Sequence, residues 1–174
     1  MIKRLLIDIQ VKSGDWKSAL DDCREVVTRA AKKAIEDQAS SFGSVEVSIV
    51  LANDMFMTHL NKQYRNQDFP TNVLSFPNAS GEIEENASVH LGDVVLALET
   101  CYREFDESKY LGKFSDHICH LVIHGVLHLL GYDHETKKDA YEMEGLEIKL
   151  LKKLGIPNPY LEGQSFYSAE NYDD

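Results

Sequence analysis

The sequence predicts one α/β domain of the α+β kind, a small mixed four-stranded sheet covered by helices, and three observations lead there. The chain has 174 residues, a length that suits one domain, because domains commonly hold roughly 100 to 150 residues. Apolar residues make up 43% and charged residues 27%, a balance that permits a buried core without disulfide or metal staples. Strand-like and helix-like patterns alternate through the first half, helical periodicity runs through the second, and no internal repeat is present.

Residues 2–11 are rich in aliphatic and β-branched side chains and end at Lys12-Ser13-Gly14-Asp15, a strand followed by a turn. From 16 to 39, Leu20, Cys23, Val26, Val27, Ala30, Ala31, Ala34 and Ile35 recur at helical spacing, which predicts one long amphipathic helix. Residues 45–51 alternate and then become wholly apolar, as a strand entering a core does. Asn53 is a good N-cap for a helix running to Arg65.

After Pro70, residues 73–76 form a short strand stopped by Pro77, and residues 89–98 form another. The polar stretch 78–88 between them is expected to be a mobile hairpin loop. Three helices follow: 98–105, 111–130 stopped by Gly131, and 135–154 stopped by Gly155-Ile156-Pro157. Residues 1–156 are thus expected to form one catalytic, metal-binding domain, with 157–174 an acidic, flexible C-terminal tail.

The formal net charge is −11, which speaks against a surface that binds nucleic acid or membrane everywhere. The acidity is uneven: residues 1–80 carry 10 basic and 10 acidic side chains, and residues 1–33 carry 8 and 5. Any nucleic-acid cleft must therefore be local, formed on an acidic body by a cation and a few basic residues, the N-terminal ones included, with weak, salt-sensitive binding elsewhere. Cys23, Cys101 and Cys119 form no C-x-x-C pair, and no apolar run approaches the roughly 20 residues of a membrane span. A reduced, cytoplasmic setting without membrane partners is the expectation.

The segment HGVLHLLGYDH places His124, His128 and His134 at H-x3-H-x5-H spacing. Histidines four apart on a helix project from one face about 6 Å along its axis. Gly131 allows the left-handed conformation that ends a helix, so His134 can swing back over that face. Three imidazoles with a fourth position left open describe a catalytic Zn²⁺ site; a structural zinc closes with four protein ligands. Ni, Co and Cu also accept imidazole, so zinc is the first expectation and not the sole one. The alternative, three separate core histidines, would leave several imidazoles buried without partners on a helix that is apolar nearly all round.

The spacing matches the histidines and glycine of the metzincin zinc-protease signature, a zincin-like metal helix, except that Gly125 stands where those peptidases carry their catalytic Glu. A metallopeptidase is therefore the alternative reading.

HGVLHLLGYDH, together with LNKQYRNQDFPTNVLSFP at 60–77 and LGDVVLA at 91–97, resembles the YbeY family of bacterial endoribonucleases, over about residues 45–154. The resemblance implies a metal-dependent endoribonuclease that prefers single strands, matures the 3′ end of 16S rRNA and takes part in ribosome quality control. Its partners would be RNA, rRNA above all, and the ribosome or proteins associated with it; a non-catalytic ribosome assembly factor with a structural metal is the third reading. The metal ligands would be His124, His128 and His134, and Arg65 the basic residue lining the cleft, so Arg65 and His124 are the catalytic candidates. The family segment most often reads Thr-Asp-Val-Leu-Ser-Phe, and Asn72 stands here in the Asp place. Asn substitutes if that Asp only accepts a hydrogen bond, and activity falls if it acts as a charge or a base.

Arg65 has the planar fork that suits bidentate phosphate contact; its bland alternative is a surface Arg near a helix C-terminus. His117 and His120 fall within about 80° of the metal histidines on the helical wheel, which leaves a role beside the site or a polar rim open for His120 and favours the rim for His117. Asp133 either orients an imidazole or caps the next helix. Ser75 lacks a nucleophile elbow, and Cys119 and Met143 read as core.

Overall fold

The computed structural model describes residues 2–78 and 86–160. The predicted hairpin loop falls largely on 79–85 and most of the predicted tail on 161–174, both outside the described residues. Strands β1 (Arg4–Val11), β2 (Ser44–Ala52), β3 (Val73–Pro77) and β4 (Ser88–Ala97) form one sheet in the order β1-β2-β4-β3. β1, β2 and β4 run parallel, and β3 pairs antiparallel with β4 at the edge. This is the mixed four-stranded sheet that the sequence predicts.

The helices are α1 (Trp16–Ala19), α2 (Cys23–Gln38), α3 (Asp54–Arg65), α4 (Leu98–Glu107), α5 (Phe114–Leu129) and α6 (Lys137–Lys153). The long helix expected over 16–39 is two helices, broken at Leu20, whose backbone is extended. Trp16 is the reason: its indole is buried and Nε1 donates to Ala52 O at 2.9 Å, pinning α1 to the end of β2. Asp21-Asp22 then precede α2, where acidic side chains favour a helix N-terminus over an interior. α5 begins at Phe114 and not at 111, because Asp116 Oδ2 accepts from Lys113 N at 2.9 Å and Leu111 is exposed. α6 begins at Lys137, where Thr136 Oγ1 accepts from Asp139 N at 3.1 Å as an N-cap.

The sheet has unequal faces. One side carries the main core, in which the stripe Val26, Val27, Ala30, Ala31, Ala34 and Ile35 of α2 meets Val47, Ile49, Val94 and Leu96 of the sheet and Ile118, Val122 and Val126 of α5. The other side carries a smaller cluster under α3, made by Met57, Leu74, Val95 and Ala97. α5 is thus pressed between sheet, α2 and α6, which fixes the position of anything it carries. Cys119 and Met143 are buried as read. No helix among the described residues is long and apolar enough to cross a membrane.

Candidate active site and metal centre

α5 delivers His124 and His128 from one face, one turn apart. Gly131 follows with φ +92° and open space around it, so it is glycine for its conformation. The chain then turns back, with Tyr132 N bonding to Leu127 O at 3.0 Å, and brings His134 over the same face. One ring nitrogen from each of the three histidines lies within 4.8 Å of the other two. Ring centroids are 4.6 Å apart for His124 and His128, 4.8 Å for His128 and His134, and 5.4 Å for His124 and His134. The sequence-predicted trio is one cluster.

Where the protons sit follows from the partners of the other ring nitrogens. His128 Nδ1 is 3.0 Å from Tyr132 O, and a carbonyl can only accept, so Nδ1 carries the hydrogen. His124 Nδ1 is 2.6 Å from Glu147 Oε1 and donates to that carboxylate. Both neutral rings therefore turn a bare Nε2 lone pair inward, and these two atoms stand 3.1 Å apart. Two lone pairs cannot satisfy each other, whereas a shared divalent cation satisfies both, so the residues fit a metal. The His128 ring is held down to about 4, by burial first and then by His124 and His134; His134 is lowered for the same reasons. Rings that stay neutral keep their lone pairs for a ligand.

Glu147 was not found by sequence reasoning. It lies on α6 with its side chain 1% exposed, accepts from His120 Nε2 at 2.7 Å through Oε2, and takes the Tyr160 hydroxyl at the same oxygen. Burial on its own would raise its pKa, but the imidazoles of His120 first and then His124, each within hydrogen-bond distance, prevail and hold the carboxyl well below the usual range. The available signal was a carboxylate on the apolar stripe Ala140, Met143, Leu150 and Leu151. His120 is accordingly buried beside the site, while His117 lines neither the cleft nor its neighbouring cavity: its side chain is 11% exposed, packed against Phe105 with Nε2 3.7 Å from Glu104 Oε2. Asp133 does not cap the next helix, whose N-cap is Thr136; its Oδ1 accepts from the His134 backbone N at 2.7 Å.

Arg65 closes α3. Asn66 adopts the left-handed conformation (φ 55°), and buried Asn61 holds the following loop by donating from Nδ2 to Phe69 O at 2.8 Å. This turn places Arg65 on the wall of a cleft of about 600 Å³ that also contains Asn72, Ser75, His124, His128 and His134. Among the described residues the Arg65 guanidinium has no ion-pair partner. The expectation that N-terminal basic residues line the cleft does not hold: its lining includes none of them, because β1 lies at the opposite edge of the sheet from β3, and Asp133 and Glu135 add negative charge.

Gly125 packs against the sheet. A Cβ there would meet Val94 Cγ1 at 2.6 Å, and Ser75 Oγ donates to Gly125 O at 2.9 Å, so the position has no room for the Glu of a peptidase. Asn72 uses both ends of its amide, accepting from Val73 N at 2.6 Å and donating from Nδ2 to Glu104 Oε2 at 2.9 Å. An ionised Asp could not make the second bond. Among the described residues, no fourth His, Cys, Asp or Glu joins the histidine trio.

Comparison with known proteins agrees with this geometry. The sequence model of the family described as Endoribonuclease YbeY matches residues 8–155. A curated Endoribonuclease YbeY from Parvibaculum lavamentivorans is 47% identical over 167 residues, covering 91% of this chain and 86% of the relative. One from Bartonella bacilliformis is 42% identical over 158 residues, covering 90% and 97%. Among solved structures, the solution structure of a Thermotoga maritima protein superimposes with a TM-score of 0.52 at 30% identity, covering 86% of this chain and 89% of that one. The matched range, residues 8–155, takes in the whole three-imidazole cleft, and the chain belongs to the YbeY family of endoribonucleases.

Proposed function

We propose that residues 1–156 form a metal-dependent endoribonuclease domain that prefers single-stranded RNA and acts in the cytoplasm on rRNA, at the 3′ end of 16S rRNA and in ribosome quality control, in contact with the ribosome. The observation that carries the metal reading is the pair of Nε2 lone pairs facing each other at 3.1 Å, each fixed by an acceptor on the far side of its ring. His124, His128 and His134 would hold the ion, zinc first by donor chemistry. Bound there, zinc would supply Lewis acidity toward a phosphoryl oxygen and an acidified water.

The chain's own residues do the rest. Glu147 fixes the His124 ring and keeps its Nδ1 protonated, and the Tyr132 carbonyl does the same for His128. Arg65 offers a planar pair of donors to the phosphate from the cleft wall. Gly125 and Ser75 close the sheet side, joined by the Ser75 Oγ hydrogen bond to Gly125 O.

Metal content and RNA cleavage measured together on the wild type and His128→Ala test the proposal. Wild type is expected to bind about one zinc per chain and cut unstructured RNA, and His128→Ala to do neither while staying folded. Full cleavage by a metal-stripped sample would overturn metal dependence, and turnover of a peptide library without RNA cleavage would restore the peptidase.

A further inference from the structure

A second cavity opens beside the histidine cleft. It measures about 240 Å³ and shares Thr71, Asn72, Val73 and His124 with the cleft, while Glu104, His120 and Leu121 are its own. A strand of RNA laid across the histidines therefore passes its mouth. The side walls are aliphatic (Val73, Leu121) and imidazole (His120, His124), surfaces that suit the faces of a flat ring.

The polar end is a carboxylate. Glu104 Oε2 is taken by Asn72 Nδ2 at 2.9 Å, and the Asn72 carbonyl oxygen is in turn taken by Val73 N. Among the described residues no hydrogen-bond donor reaches Glu104 Oε1, and the side chain is 37% exposed. A ligand group that settles there must donate a hydrogen bond and cannot be a phosphate, which the carboxylate repels. RNA offers three kinds of such group: the exocyclic amine of adenine, cytosine or guanine, the ring N–H of guanine or uracil, and the ribose 2′-hydroxyl. Room for a ring between the walls favours the base. Uracil is the poor fit, because its one ring N–H is flanked by two carbonyl oxygens that would face the carboxylate.

We infer that this cavity is a nucleobase subsite next to the scissile phosphate, in which Glu104 accepts from the exocyclic amine and so selects adenine, cytosine or guanine over uracil. The inference rests on the endoribonuclease reading above. Asn72 orients Glu104 and is a positioning residue.

Single-stranded oligonucleotides that differ at one nucleotide beside the cut, presented to the zinc-loaded protein, test it. Wild type is expected to favour amine-bearing bases over uracil by about tenfold in kcat/KM, carried mainly by KM, since a lost hydrogen bond to a charged, part-exposed carboxylate costs on that order. Adenine replaced by purine without its amine should behave like uracil. Glu104→Gln keeps an oxygen for Asn72 and turns an amide N–H to the open position, so the preference should vanish or invert toward uracil. Cleavage of all four bases alike, or an equal fall of kcat for every base in Glu104→Gln, would overturn the inference and leave the endoribonuclease reading standing. A discrimination abolished by one 2′-deoxy sugar and indifferent to the base would show that the ribose is read instead. No cleavage of any RNA by the wild type would remove the reading and the inference together.

Discussion

On one side of α5, Cys119 lies against Val26 of α2 and Gly125 against Val94 of β4, with Ile118, Val122 and Val126 fully buried between them. On the other side, His120 and His124 converge on the Glu147 carboxylate, and His128 meets His124 and the Tyr132 carbonyl. Both sides are desolvated, yet shape specifies the first and proton position specifies the second. The apolar side tolerates no added atom. The polar side tolerates no misplaced hydrogen, because each imidazole must donate on one edge and be bare on the other.

Replacing a ligand should break the comparison most widely. His128→Ala removes a lone pair from the polar side and leaves the apolar side untouched, so RNA cleavage should fall by more than about a hundredfold while the circular dichroism spectrum persists. Loss of the fold along with the activity would show that the two sides are not separable.

Glu147→Gln is the next largest and the sharper probe. The amide keeps the shape but cannot accept from both His120 and His124 as a carboxylate does, so zinc affinity by competition with a chelator should drop about 10- to 100-fold. Wild-type affinity in that variant would mean that Glu147 only fills space.

Gly125→Ala probes the other side. Its methyl group would meet Val94, so denaturant unfolding should show a loss of about 1 to 3 kcal/mol with zinc stoichiometry unchanged. An undiminished midpoint would show that β4 yields more easily than its close approach implies.

The smallest effect lies far from both sides. Asp37 is held below its ordinary pKa by the Lys153 hydrogen bond first, against burial, with the charges of Lys153 and Lys149 adding to it. A carboxyl whose folded pKa is depressed stabilises above its unfolded value of 3.8 and loses that contribution as pH falls through the folded value. Asp37→Asn should therefore cost no more than about 1 kcal/mol at neutral pH, the lysines being substantially exposed, and the difference from wild type should vanish in strong acid.

The trio and its turn were legible because their determinants are local. Helical spacing aligns His124 and His128, and Gly131 permits the reversal that brings His134 back. Arg65 was legible only through a motif, since its place on the cleft depends on Asn66 and Asn61 turning the chain. Glu147 and Glu104 were not legible, because Glu147 meets His124 across 23 residues and Glu104 meets Asn72 across 32, through packing that the pattern of either helix does not reveal. The break in the first long helix was hidden for the same reason: the hydrogen bond that makes it joins Trp16 to Ala52, 36 residues on.

That indole has a spectroscopic consequence. Trp16 is the one tryptophan in the chain and is 1% exposed, so native emission should be blue-shifted and should come from a single place. It lies where α1 is pinned to the end of β2, on an element that carries none of the metal histidines. Emission should therefore stay native in His128→Ala and shift red only when the sheet itself comes apart, which gives each site variant an optical control in the same cuvette.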